Sequence, residues 1–208
     1  MKATLDGQDL TIDRPSLAAA LEAGAAQARG RGRIVIEVLV DGQVLEGDEL
    51  DHASDEPLTS THVEMMTADP ASLVRITLFD AADAMDSSKE EHASCAELIH
   101  RGDTSEAMGA LAQVLATWQA VRDAIIQGGE AVGRPLKSFA GEGVLDERTE
   151  ELSRQLDALK RAVADDDLVA VADLLEEDLS VEAGLWADTL RIIAEAMKES
   201  ADASGARA

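Results

Sequence analysis

The residues that combine reactive side chains with suggestive spacing lie between positions 92 and 100: His92, Cys95, Glu97 and His100. Glu97-Leu98-Ile99-His100 is a Glu-x-x-His pair, the element with which di-iron helical proteins place two ligands inward from one helix. Such a site needs a second copy. The remaining histidines are His52 and His62 in the N-terminal third, and His92, which falls on another helix face, so a carboxylate-bridged di-metal centre is not expected. On a helix Cys95 stands about −60° and His100 about +80° from His92, a spread too wide for one ion without outside ligands. A packed histidine and a buried thiol are the simpler expectation, since free cysteine prefers cores.

Gly128-Gly129-Glu130-Ala131-Val132-Gly133-Arg134-Pro135-Leu136-Lys137-Ser138 invites a phosphate-loop reading. Its spacing fails: Arg134-Pro135 stands where Lys-Ser/Thr belongs, and a helix rather than a strand precedes it. The stretch reads as an inter-helical loop. Asp165-Asp166-Asp167 sits at a helix start, where carboxylates offset exposed N–H groups, and Glu176-Glu177-Asp178 reads as a solvent face. Arg29, Arg31 and Arg33 alternate with glycines in a single short run, which reads as a turn. No nucleophile elbow, Ser-His-Asp order or H-E-x-x-H pair is present. No catalytic, cofactor-binding or metal-ligating residue is therefore assigned, and no cofactor is expected.

The chain has 208 residues and a net charge of −24, with carboxylates in excess both before and after residue 69. Nucleic acid and anionic membranes would be repelled, and a basic partner, a salty milieu or simple solubility would suit such a surface. Aromatic residues are 2% of the chain, which argues against a deep aromatic-lined pocket. Cys95 is the single cysteine, so no intrachain disulfide can form. With no leader-like stretch at the start and no run of 18 apolar residues, the expectation is a soluble, cytoplasmic protein of bacterial type.

The elements that must carry these residues are mostly helices. Val74, Leu78, Ala81, Met85, Ser88, His92, Cys95 and Ile99 are spaced alternately by four and three, as are Ala107, Leu111, Val114, Trp118, Val121 and Ile125. That spacing keeps one stripe of each helix facing a partner. Asp69-Pro70 starts the first of these helices; Gly102 ends it; Asp103 and Glu106 form a capping-box pattern for the second. Gly128-Gly129 weakens the second helix, and a loop extends to about Asp146. Leu145, Thr149, Leu152, Leu156, Leu159 and Val163 repeat the 4-3 spacing in a third helix. A fourth carries Leu168, Ala172, Leu175, Leu179, Trp186 and Ile193, with Ser180 and Gly184 marking a kink or break. The expected architecture over 69–199 is an antiparallel bundle of four or five helices, followed by a disordered tail at 200–208.

Residues 1–68 read as a small α+β domain. Asp6-Gly7 turns Ala3-Thr4-Leu5 into Leu10-Thr11-Ile12, Pro15 opens a helix to about Gln27, and Leu17, Ala20, Leu21 and Ala25 form its inner face. Ile34 to Val40, Val44-Leu45 and His62 to Met66 supply three more strands, with Asp41-Gly42 as a second turn and a polar loop before His62. Strand-strand-helix-strand-strand-strand, with the stretch Val38 to Leu50, resembles the ubiquitin-like β-grasp over about the first 68 residues. That resemblance implies a compact module whose sheet face commonly binds other proteins. It does not imply conjugation, because the chain runs on past the last strand into a helix.

The fold class expected is thus α+β, a β-grasp-like domain and then a helical bundle. The function expected is that of a non-enzymatic protein-interaction adaptor, with a partner or a second copy held through apolar helix seams. Two alternatives are a small acidic chaperone or export factor shielding an amphipathic helix, and a metal- or ligand-binding helical bundle.

Overall fold

The structure, a computed structural model, describes residues 1–57 and 60–205. It is α+β, a mixed five-stranded sheet followed by long helices. One compact unit is Met1–Leu73; a second begins at Val74.

In the first unit, β1 (Lys2–Leu5) and β2 (Gln8–Asp9) are joined by Asp6 and Gly7 at φ 49° and 76°. Two successive positive φ values make a type I′ turn, whose twist matches the strands. The second strand is shorter than expected. Leu10 still donates its N–H to the Ala3 carbonyl (2.8 Å) and is buried, but Thr11 and Ile12 leave the ladder. Helix α1 (Leu17–Gly30) begins at Ser16, whose hydroxyl accepts the Ala19 N–H at 3.3 Å, and not at Pro15. Its buried line is Ala20, Gly24 and Ala28, a slight rotation from the expected face. The rotation follows from Gly24, which lies so close to Met65 that a Cβ there would fall 2.4 Å from Sδ.

β3 (Ile34–Val40) turns through Asp41-Gly42, again both at positive φ, into β4 (Gln43–Val44). A short helix α2 (Asp48–Asp51) precedes β5 (His62–Ala68); the loop between them includes residues 58 and 59, outside the described residues. The strand order is β2-β1-β5-β3-β4, with β1 parallel to β5 and β3 antiparallel to it, an order compatible with a grasp-like topology. The core of this unit is built on Leu5, Leu10, Ala20, Ala28, Val38, Val63 and Met65. One polar knot ties the first turn to the end of β5. The Asp6 carboxylate accepts the Thr67 N–H (2.8 Å) and hydroxyl (2.6 Å), and Arg33 Nη2 donates to the Thr67 carbonyl (2.6 Å). The Thr67 bonds hold the Asp6 carboxyl below its ordinary value. Arg33 is accordingly a structural residue of the glycine-spaced turn.

Helix α3 (Pro70–Arg101) starts where Asp69 accepts both the N–H (2.9 Å) and the hydroxyl (2.8 Å) of Ser72. Val74, Leu78, Met85, Ser88, His92, Cys95 and Ile99 form its buried line, with Ala82 rather than Ala81 fully enclosed. Gly102, at φ 81°, closes the helix, with the Asp103 N–H on the Leu98 carbonyl (3.0 Å) and the Gly102 N–H on that of Ile99 (2.9 Å). α4 (Thr104–Ala131) buries Ala107, Leu111, Val114, Trp118 and Val121. Asp103 stands at its N-cap, but the carboxylate makes no capping bond and pairs with Arg101 at 2.9 Å instead.

Gly128 and Gly129 do not end α4. Both are buried within it, and a Cβ on Gly128 would sit 3.0 Å from Val74 Cγ1 and 3.1 Å from Leu136 Cδ1. These glycines permit a close approach, so the inter-helical connection begins only after Ala131. It contains a 3₁₀ turn at Leu136–Ser138. α5 (Val144–Ala164) ends at the aspartate run, where Asp166 takes φ 55° and Asp167 caps α6 (Leu168–Asp173) by accepting the Ala170 N–H at 3.0 Å. A π-helical turn (Leu174–Leu179) joins α6 to α7 (Ser180–Gly205), so the helix runs through Ser180 and Gly184 without a break. Of the tail expected at 200–208, residues 206–208 lie outside the described residues. Contacts between α3 and the last helices run in opposite sequence order: Arg75 donates to the Ala194 carbonyl, Arg191 pairs with Asp83 and Asp86, and His100 faces Glu176.

Candidate functional site

The sequence's candidate ligands do not converge. His92 and Cys95 are wholly enclosed, Cys95 donating to the Ala107 carbonyl at 3.4 Å, while Glu97 and His100 face outward and His100 lies 3.9 Å from Glu176. The sequence holds a second Glu-x-x-His, Glu49-Leu50-Asp51-His52; it falls in the first unit, with Glu49 on the single turn of α2 and His52 just past its end. Among the described residues no group of three or more His, Cys, Asp or Glu side chains is placed to hold a metal ion.

What the second unit does present is an apolar groove of about 590 Å³ between α4 and α5. Leu115, Ile125 and Ile126 line it from α4, Leu152 and Leu156 from α5, and two tryptophans, Trp118 and Trp186, from beneath. Both tryptophans are almost fully enclosed, at 3% and 4% exposure, and meet edge to face at 6.4 Å between ring centres. Trp118 is further held by His92, stacked at 6.3 Å, to whose Nε2 it donates its indole N–H at 3.4 Å. A second hollow of about 450 Å³ shares Ile125, Ile126 and Leu145 and carries the groove on toward Pro135 and Leu136. From Leu115 to Ile126 the wall on α4 spans about 16 Å at 1.5 Å per residue, or three helical turns. The floor of the groove is thus aromatic and almost fully covered, and its walls are half-exposed aliphatic side chains.

A scan against protein-family models, and searches of curated proteins and of solved structures, found no match to this chain. The site must be read from its own geometry. Among the described residues no helix is long and apolar enough to cross a membrane.

Leu145 and Leu159 are buried as the 4-3 spacing predicts, but the groove is not legible in the sequence because the intervening inward positions fall one residue before Thr149, Leu156 and Val163. The residues buried on α5 are Leu145, Gln155, Leu159 and Ala162; Leu152 and Leu156 are half-buried, Thr149 is exposed and Val163 is 39% exposed. Arg148 and Gln155 take the inward positions in place of Thr149 and Leu156. Glu182 on α7 receives Arg148, its carboxylate 3.2 Å from Arg148 Nη1 and only 3% of the residue exposed. A signal for this did exist: Leu175, Leu179, Glu182, Trp186 and Ile193 share one helical line, and a glutamate in such a line requires a buried partner. Burial pushes the Glu182 carboxyl upward and Arg148 draws it back.

Proposed function

We propose that this chain is a non-enzymatic interaction protein, and that the groove between α4 and α5 receives an amphipathic helix of a partner whose polar face is basic. The groove carries the reading: a wall three turns long on α4, with Leu115 and Ile125 half-buried and Ile126 exposed beside Gln119 and Arg122, above the Trp118–Trp186 floor. The net charge of −24 supports the charge of the partner, since long-range attraction favours a cationic peptide and repels an anionic one. An antiparallel helical bundle is the architecture proposed for α3 to α7, and a β-grasp for the first unit, whose open face carries Met66 at 49% and Val44 at 50% exposure. Shielding a client helix, as a small chaperone does, is a use of this same groove and makes the same structural demand.

The test uses the full chain with a photo-crosslinking residue at Ser153, on the groove wall, or at Val169, which is 66% exposed on α6 and lines none of these hollows. A partner crosslinked from Ser153 and not from Val169, and lost on Leu156→Glu, is the expected result. Equal labelling from both positions, or a partner retained by Leu156→Glu, overturns the reading. Synthetic amphipathic helices with a Lys-rich polar face should quench or shift tryptophan fluorescence, and Glu-rich counterparts should not.

A further inference from the structure

On the other side of α5 lies a smaller, polar cavity of about 310 Å³, lined by Arg148, Glu151 and Gln155 from α5 and by Glu177, Asp178 and Glu182 from the π turn and α7. Its apolar walls are Val181 and Leu185. π-helical turns are uncommon and recur at functional positions; this one brings Glu177 and Asp178 to the cavity. Gln155 is 95% enclosed, with 5% exposure. Its Nε2 donates to Glu151 Oε1 at 2.8 Å, which fixes the amide, because the flipped orientation would set oxygen against carboxylate. Its Oε1 is thereby left buried without a hydrogen-bond partner. Glu151 is also gripped from outside by Arg154, and Arg148 is taken up by Glu182.

The chemistry missing from this cavity is an N–H donor with positive charge. Four carboxylates face one inward arginine, and the orphaned Gln155 oxygen can only accept. A bare divalent ion does not answer the description, since no group of three carboxylate, imidazole or thiolate ligands is assembled among the described residues. At about 30 Å³ per water-sized group the volume holds about ten such groups, room for the six heavy atoms of 1,4-diaminobutane or the five of a lysine side chain. Val181 and Leu185 would meet its methylenes.

We infer that the cavity between α5 and the π-helical turn binds a primary alkylammonium group, with Gln155 Oε1 as its buried acceptor and Glu177 and Asp178 as counter-charges. The group can come from a free diamine or from a lysine side chain of a protein partner. The inference does not depend on the groove between α4 and α5.

Calorimetric titration of the full chain in 150 mM salt, with 1,4-diaminobutane, Nα-acetyl-lysine amide and Mg²⁺ as probes, tests it. Saturable one-to-one binding of an ammonium probe is expected, weakened at least tenfold by Gln155→Met, which keeps the length and removes the acceptor. Tighter binding of the diamine identifies a free amine as the source; tighter binding of the lysine amide identifies a partner's side chain. The exposed double variant Glu177→Gln/Asp178→Asn should weaken binding as strongly, and it carries the test if Gln155→Met does not fold. Heats that survive both variants, or that Mg²⁺ abolishes at equal charge, mean counter-ion condensation on an acidic surface and overturn the proposal. So does the absence of saturable binding, in which case Gln155 is met by water alone.

Discussion

His92 should make this protein acid-labile in a measurable and separable way. Trp118 can only donate, so the His92 Nε2 that receives its indole N–H at 3.4 Å is unprotonated, and the ring proton sits on Nδ1, buried without a partner. A second proton would set N–H against N–H in a site with 0% exposure. Burial accordingly draws the histidine down from 6.5 to about 4. The unfolded chain takes up its proton near pH 6.5 and the folded chain only near 4, so the stability is fully present above 6.5 and is lost as pH falls toward 4. At about 1.4 kcal/mol per pH unit, the loss between pH 7 and pH 5 comes to about 2 kcal/mol. The raised Glu182 carboxyl works in the opposite direction, gaining stability as pH falls, and relief of repulsion among the many carboxylates does the same. The raw pH profile therefore mixes signs, and the contribution has to be isolated by difference. His92→Gln keeps an acceptor for Trp118 and does not titrate. Urea unfolding of both proteins at pH 7, 6 and 5, followed by tryptophan fluorescence and by circular dichroism, should show the wild-type advantage shrinking by about 2 kcal/mol over that range. Parallel profiles for the two proteins would refute the argument.

Gly24→Ala should destabilise by about 1–3 kcal/mol despite alanine's higher helix propensity, because Met65 is 1% exposed and stands where the new methyl would go; a raised midpoint in calorimetry would count against that packing. Cys95, wholly enclosed and with its thiol pushed upward by burial, should resist Ellman's reagent in the native protein and react fully in urea. Labelling within minutes under native conditions would contradict its placement. Trp118→Ala should cost about 3–5 kcal/mol and the half-exposed Leu156→Ala only about 1; equal losses would mean the groove is closed in solution. Arg148→Leu alone should cost about 3 kcal/mol by stranding the Glu182 carboxylate, and Arg148→Leu/Glu182→Leu should recover most of it. A double variant no better than the single one would show that the pair itself stabilises the fold.

The parts of the structure legible in the sequence are those where local chemistry and packing agree. Asp-Gly pairs mark both hairpins because each needs two residues at positive φ. The lines on α3 and α4 are readable because their inward positions are nearly all apolar, and Ser88 and His92 are small or neutral enough to join them. Legibility fails where a glycine serves a neighbour rather than its own backbone. Gly128 looks like a helix breaker in one dimension and is a contact surface for Val74 and Leu136 in three. It fails again at the π turn, since the one-residue offset it introduces leaves no compositional trace in Leu174–Leu179.

The groove and the polar cavity have a common origin in the register of α5. Two lines compete on that helix: an apolar one through Thr149, Leu156 and Val163, and a mixed one through Arg148, Gln155 and Ala162. Hydrophobic burial alone favours the first, which would turn Leu156 and Val163 inward and leave less aliphatic surface open beside Trp118. Glu182 changes the balance. Set between Leu179 and Trp186 on an enclosed line of the last helix, its carboxylate demands a donor, and Arg148 meets it from α5. With Arg148 inward, Gln155 follows two turns later, and Leu152 and Leu156 are left half-exposed as the wall opposite α4. A buried ion pair of this kind adds little net stability compared with an apolar contact of the same size, and its effect is to select one arrangement over another. Here the arrangement selected is the one that keeps an apolar groove open on one side of α5 and an unpaired acceptor on the other.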